Sequence, residues 1–383
     1  MSQVTHPTHQ QPASQPPSSQ QEFRALLDAF RTKLEGELGR FFREREEETR
    51  GRAPQALELL ASVEDLVQAG GKRLRPALVY FSYRACGGEQ EAEVLPLAMG
   101  TELLHTYLLI HDDIMDRAPT RRGKITAHRR FEAAFPHTER GPGRPDPEEE
   151  ARHHGTSMAI LSGDLASTLA FQLFASLPAE PAARRLAVER LVFLMSREVI
   201  DGQFLEMHAG LGADPSGEDL ARILQLKSGL YSVERPVELG ATLAEADPAL
   251  LGALKQYGRA LGEAFQLQDD LLGVFADETA VGKPVGGDLE EGKHTFLIHH
   301  ALRLASPDDE SYLRSILGRA GLTHSEVQRG RSILESCGAR AAVEAMIEER
   351  SETARRLLEP LQLAPSGHAF LRGLVDYLEQ RSH

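Results

Sequence analysis

Tryptophan is absent from this 383-residue sequence, and cysteine nearly so. Cys86 and Cys337 stand alone and far apart, which makes neither a disulfide framework nor a zinc site. Basic residues are in the minority. The 43 Lys and Arg against 57 Asp and Glu give a formal net charge of −14, which argues against a nucleic-acid partner. A phosphorylated small substrate stays open, because a metal ion and a few cations can reverse the field at one site. No apolar run reaches the roughly 18 residues that a membrane span needs. The N-terminus lacks the basic–apolar–small order of a secretory signal. A cytoplasmic protein without a membrane span is the expectation. Alternating strand patterns and short-period repeats are missing as well.

What is present is helical. Hydrophobic residues make up 41 % of the chain, enough for a sizeable core. Residues 1–20 are Gln, Pro, Ser and His with almost nothing to bury, and read as a disordered tail. From Phe23, apolar residues recur at three- and four-residue spacing (Phe23, Leu26, Leu27, Phe30, Leu34), the period of one helix face. Comparable stretches fill the rest of the chain, separated by breaks carrying Gly or Pro. The expectation is an all-α protein, a single large helical bundle over 21–383 around a central cavity. Residues 136–155, rich in Pro, Gly and charge, read as a surface loop insertion, with His153 and His154 too weak a signal for a metal site.

Two acidic clusters carry the chemistry. In Asp112-Asp113-Ile114-Met115-Asp116, Asp112 and Asp116 lie one helical turn apart and share a face. Carboxylates so placed repel unless a cation neutralises them, and hard oxygen ligands suit Mg²⁺ shared with a substrate phosphate. The apolar run from Leu103 to Ile110 leads directly into them, as a cavity wall leads to a charged mouth. The second cluster, Asp269-Asp270, repeats this order after Phe265-Gln266-Leu267-Gln268. Cations gather at the neighbouring breaks: Lys72, Arg73 and Arg75 after Gly70-Gly71, then Arg121 and Arg122, Lys227, Lys283 and Lys293. Arg grips phosphate oxygens through its planar fork and Lys acts as a point charge. Tyr107 stands five residues before Asp112, about 7.5 Å deeper along a helix. A ring there can act as a floor, and Leu108 beside it is smaller.

With these residues in view, the sequence resembles the trans-isoprenyl diphosphate synthases, or polyprenyl synthetases, and most of all bacterial geranylgeranyl diphosphate synthases. GGKRLRP, ELLHTYLLIHDDIMD, RRG, ILSGD, GQFLE, KSGLYS, FQLQDD and GKPVGGDLEEGK occur in the family's order. The resemblance implies a homodimer that condenses isopentenyl diphosphate with dimethylallyl, geranyl or farnesyl diphosphate. It implies about three Mg²⁺ ions per site, two held by Asp112 and Asp116 with Asp113, and one by Asp269 supported by Asp270. Arg121, Lys227, Lys283 and Lys293 would grip the allylic diphosphate, with Ser228 and Gln266 assisting. Lys72, Arg75, His105 and Arg122 would bind isopentenyl diphosphate. An aromatic at the position of Tyr107 implies a C20 product, geranylgeranyl diphosphate, with farnesyl diphosphate as the alternative.

The chain departs from the family pattern in three places: Gly273 where a third aspartate is usual, Ser228 for Thr, and Glu206 for Asp. A class I terpene cyclase is the rival enzyme, but FQLQDD replaces its second metal motif, and GGKRLRP would have no second diphosphate to serve. A non-catalytic subunit of a heteromeric synthase is the rival of another kind, disfavoured because both acidic clusters survive.

Overall fold

The computed structural model describes residues 19–136, 146–178, 180–211, 214–275 and 287–380. The elements run α1 (Ser19–Arg52), α2 (Leu57–Gln68), α3 (Leu74–Ala85), α4 (Glu91–Met115), β1 (Thr120–Arg121), β2 (Lys124–Ile125), α5 (Ala127–Ala133), α6 (Pro147–Ala175), α7 (Ala182–Ala209) and α8 (Gly217–Ile223). A π-helical segment, Leu224–Glu234, joins α8 to α9 (Arg235–Leu243). There follow α10 (Pro248–Phe275), α11 (Gly287–Glu291), α12 (Phe296–Leu304), α13 (Pro307–Ile316), α14 (His324–Ser336), α15 (Ala339–Leu358) and α16 (Pro365–Gln380). The all-α expectation holds.

Sequence periodicity becomes packing in a direct way. The apolar stripe of α1 buries Phe23, Leu27, Phe30, Leu34 and Leu38. At one end, Phe23 meets Phe370 and Tyr377 of α16 at ring-centroid distances of 5.0 and 5.3 Å. Helix α4 lies against α6, and α10 against the π-helical segment and α15. Two apolar clusters result. The larger draws on α1 to α7, α9, α10 and α16, and the smaller is built from the C-terminal half of α10 with α11 to α15. Helix α10 belongs to both, which fixes the second acidic cluster between them.

Several boundaries differ from expectation. Helix α1 begins at Ser19, within the stretch expected to be tail; residues 1–18 lie outside the described residues. The insertion is not wholly a loop, because α6 starts at Pro147. Asp146 caps it by accepting from the Glu148 amide at 3.2 Å, and Glu148, Glu149 and Glu150 fill its first turn, where acids favour the positive helix end. Residues 137–145 lie outside the described residues. A two-stranded hairpin is also present, too short for any alternation to reveal: Thr120 pairs with Ile125 and Arg121 with Lys124. Its turn residues Arg122 and Gly123 have φ of 53° and 73°, the pair of positive values that such tight hairpins need.

Helix α6 bears on the expectation of no membrane span. By length and composition it could cross a membrane, although Asp164 interrupts its apolar run in the sequence. In the fold, 44 % of its most apolar stretch is buried inside the protein, and the helix packs on α4, α5 and α2.

Close backbone contacts fix the helices that carry charge. A Cβ on Gly262 of α10 would fall 2.3 Å from the Gly229 carbonyl oxygen, and one on Gly202 of α7 would fall 2.3 Å from the Lys227 amide. Both contacts are with backbone, so neither neighbour can swing aside. Gly262→Ala is expected to destabilise the protein by about 1–3 kcal/mol through overpacking, read as a lower thermal unfolding midpoint. An unchanged midpoint would show that the two backbones have room to separate.

Candidate active site

One cavity of about 830 Å³ gathers most of the residues singled out in the sequence: Lys72, Arg75, His105, Asp112, Arg121, Arg122, Lys227, Ser228, Gln266, Asp269, Asp270 and Lys293. Lys283 lies outside the described residues.

Four of the expected residues are not on this cavity's wall, Asp116 at the end of α4 among them. Asp113 is only 2 % exposed and accepts from Arg121 Nε at 2.5 Å. It follows Asp112 by one residue, so the helix turns it about 100° away. It is placed as a buried partner that orients Arg121. Tyr107 and Leu108 are half-buried and outside the cavity wall, which takes His105, Leu109 and Asp112 from α4 instead. Tyr107 sits about 140° round the helix from Asp112, with its ring edge-on to His111 at 4.8 Å.

The acidic side is crowded. Asp116 closes α4 as its C-cap residue, and its carboxyl is pushed up to about 6, by burial first and then by Asp112. Asp270 accepts from Gln266 Nε2 at 2.6 Å. Its carboxyl is pushed up to about 8, by burial first and then by Asp288. Two cations already sit among these acids. Lys227 pairs with Glu206 and lies 4.0 Å from Asp112 Oδ1. Lys293 Nζ is 2.7 Å from Glu291 and 3.6 Å from Asp288. Arg121 bridges both members of the first pair, reaching Asp112 Oδ2 at 3.2 Å. Among the described residues, no three acids or histidines enclose a metal position by themselves. Mg²⁺ does not require that, since it uses one or two carboxylates and completes its shell with water and substrate phosphate. Oxygen-only donors whose protons are held on by burial and by neighbouring acids fit such an ion.

The other end of the cavity is basic. Gly70-Gly71 and the left-handed Arg73 (φ 54°) turn the chain into α3, placing Lys72 and Arg75 on the cavity wall. The Arg122 guanidinium donates to the carbonyls of Gly70 and Leu66 and lies 3.0 Å from where a Cβ on Gly71 would be, so glycine is required there. Arg75 is held on three sides: it donates to Ser232 Oγ at 2.7 Å, approaches His105 Nε2 at 3.3 Å, and lies 4.8 Å from the Tyr231 ring centre. Burial, then Arg75, Arg122, Arg121 and Arg73, holds His105 well below its usual range. Since arginine only donates, Nε2 accepts and the ring proton sits on Nδ1.

Sequence reading missed some of what supports this end. Arg73 is buried and paired with buried Glu102 while also donating to the Val67 carbonyl. A lone glutamate in an apolar helix was the available signal. Tyr231 and Ser232 gave none, because their proximity to Arg75 depends on the path of the π-helical segment.

Comparison with known proteins agrees with this arrangement. The polyprenyl synthetase family model matches residues 57–334. The chain is 30 % identical to the geranylgeranyl diphosphate synthase of Methanosarcina mazei, over 85 % of this chain and 90 % of that protein. It is 31 % identical to the octaprenyl diphosphate synthase of Escherichia coli, over 82 % and 88 %. Among solved structures, it resembles geranylgeranyl pyrophosphate synthase from Corynebacterium glutamicum complexed with isoprenyl diphosphate and magnesium, with a TM-score of 0.84, 33 % identity, and coverage of 93 % of this chain and 99 % of that one. The breadth of these matches, together with the acid- and arginine-lined cavity, makes the chain a member of the polyprenyl synthetase family.

Proposed function

We propose that the protein is a short-chain trans-prenyl diphosphate synthase that joins isopentenyl diphosphate to an allylic diphosphate, with geranylgeranyl diphosphate as its product. The observation that carries this reading is that one cavity has two separate places for a diphosphate. Asp112, Asp116 and Asp269, with Arg121, Lys227 and Lys293, suit a diphosphate that arrives with Mg²⁺. Lys72, Arg75, Arg122 and neutral His105 suit a second one bound without metal. A cyclase, acting on a single diphosphate, has no use for the second place. The magnesium-bearing Corynebacterium structure supports the choice of metal.

When bound, Mg²⁺ supplies positive charge that stabilises the departing diphosphate. Lys227, Arg121 and Lys293 add to it from fixed positions, and Gln266 and Ser228 line the same end. The allylic C–O bond breaks, and its electron pair leaves with the diphosphate oxygens. The double bond of isopentenyl diphosphate attacks the resulting carbocation, and a proton passes to the released diphosphate. The apolar walls, including Leu109 and Phe265, keep water from the cation.

Residues 21–383 act as one domain in this reading, since α10 is shared by both apolar clusters. The enzyme is a cytoplasmic homodimer. Phe193, Ile200, Phe204 and Met207 of α7 expose their side chains on one helix, an apolar surface that a second copy would cover. Sequence identity does not set product length, because relatives of equal identity make C20 and longer products. Tyr107 is our choice of limiting residue. It stands outside the cavity wall on α4, close enough to α6 to feel the charge of Asp164, and in this reading a lengthening tail would meet it.

With Mg²⁺, labelled isopentenyl diphosphate and each primer, we expect a C20 alcohol after dephosphorylation; no elongation from any primer would overturn the assignment. Asp112→Ala and Asp269→Ala should each lower turnover by at least about 10²-fold, the scale of losing one electrostatic contact to the transition state; normal turnover would exclude them as metal ligands. Tyr107→Ala should lengthen the product beyond C20, read by chromatography; an unchanged product would return Tyr107 to core packing alone.

The acidic side also predicts a pH dependence. Asp116 and Asp270 keep their protons to about 6 and about 8, so the metal-free folded state holds more protons than the unfolded chain between the usual carboxylate range and those values. Its stability should therefore fall as pH rises through that window. Mg²⁺ with inorganic diphosphate must expel these protons. Calorimetry in buffers of different ionisation enthalpy should detect more proton release at about pH 6.5 than at about pH 9, which bracket the shifted groups; equal release at both would contradict the assignment of these acids to the metal site.

A further inference from the structure

The second acidic cluster stops at Gly273, and another part of the chain fills the gap. Gly273 follows Asp269 by one helical turn on α10, so a side chain there would share Asp269's face, as Asp116 shares that of Asp112. A Cβ built on Gly273 falls 2.0 Å from Asp288 Oδ2 and 2.6 Å from its Cγ. The carboxylate of Asp288, carried by α11, thus occupies the space that a side chain at 273 would take. It is the other oxygen, Oδ1, that lies 3.6 Å from Lys293 Nζ. Asp288 and Gly273 both line the cavity that holds Asp269, Asp270 and Lys293.

We propose that Asp288 is the missing carboxylate of the second cluster and holds the same Mg²⁺ as Asp269. The Asp288 carboxylate thus fills the position, one helical turn from Asp269, that corresponds to that of Asp116 relative to Asp112, and Mg²⁺ commonly takes one or two carboxylates before water and phosphate complete its shell. Glycine at 273 is then a requirement, because any side chain there would displace Asp288. Lys293, beside Oδ1, balances the added charge before the metal arrives. A simple counter-ion for Lys293 would have no reason to lie over Gly273 with its second oxygen.

This inference rests on the synthase reading, and the test separates their failures. Mn²⁺, as a spectroscopic substitute for Mg²⁺, is titrated by electron paramagnetic resonance into the full-length protein with inorganic diphosphate. Asp288→Asn should weaken Mn²⁺ binding by about tenfold or more, the scale seen when a group supporting a metal site is lost, with the unfolding midpoint preserved. The double variant Gly273→Asp/Asp288→Gly, which returns the carboxylate to α10, should recover most of that loss. Wild-type affinity in Asp288→Asn would overturn the proposal and leave Asp288 as a partner of Lys293 only. Failure of the unaltered protein to bind Mn²⁺ with diphosphate would instead overturn the synthase reading, and this inference with it.

Discussion

Asp112 and Asp116 on α4, and Asp269 and Asp270 on α10, are carboxylates that repel one another in a partly dry cavity, and the surrounding structure holds them there regardless. Burial first, and then Asp112 for Asp116 and Asp288 for Asp270, pushes these two carboxyls up to about 6 and about 8. The fold resists the repulsion with contacts that cannot slide. Gly262 against Gly229 and Gly202 against Lys227 lock α10, the π-helical segment and α7 backbone to backbone. Helix α10 is also gripped by two apolar clusters at once. Acids and cations fixed in place in this way, with Arg121 on Asp112 and Lys227 4.0 Å from it, are preorganised and need little reorganisation when charge develops.

The basic end follows the opposite logic. There the arginines are tied down mainly by neutral or buried partners, although Arg73 Nε also lies 3.9 Å from the exposed Glu35. Arg75 leans on Ser232, His105 and Tyr231, Arg122 on carbonyl oxygens, and Arg73 on buried Glu102. Such partners orient a guanidinium and leave it positive. The π-helical segment links the two ends, since Lys227 and Ser228 line the cavity beside Asp112 while Tyr231 and Ser232 hold Arg75. An extra residue per turn in a helix is often found at functional sites, and here it serves both substrates.

Residues named by short motifs were legible because their chemistry is local. Asp112, Asp116, Asp269 and the Gly70–Arg75 turn can be read from spacing; Asp112, Asp269 and Gly71 to Arg75 line the cavity, and Asp116 lies at the end of α4. The pairing of Asp113 with Arg121 was not legible, since DDxxD as a string does not say that the helix turns its second aspartate inward. What stayed hidden depends on contacts across the fold. Asp288 over Gly273 joins two elements separated by residues 276–286, and nothing in FQLQDDLLG points to it. The start of α6 at Pro147 was obscured because its capping signal, Asp146-Pro147-Glu148, sits inside a stretch whose overall composition reads as loop. The hairpin at 120–125 was too short for periodicity, though Arg122-Gly123 is the turn that aims both arginines.

The central claim is that this cavity holds two diphosphates by different means, one through metal and one through cations alone. Equilibrium calorimetry with an unreactive thiolo analogue of geranyl diphosphate and with isopentenyl diphosphate, each with Mg²⁺ and with EDTA, tests it directly. The account predicts that one analogue molecule binds per chain only when Mg²⁺ is present, while one isopentenyl diphosphate binds to the analogue-loaded protein and is lost in Arg75→Ala but not in Asp269→Ala. Binding of a single diphosphate per cavity, whichever is added first, would contradict it.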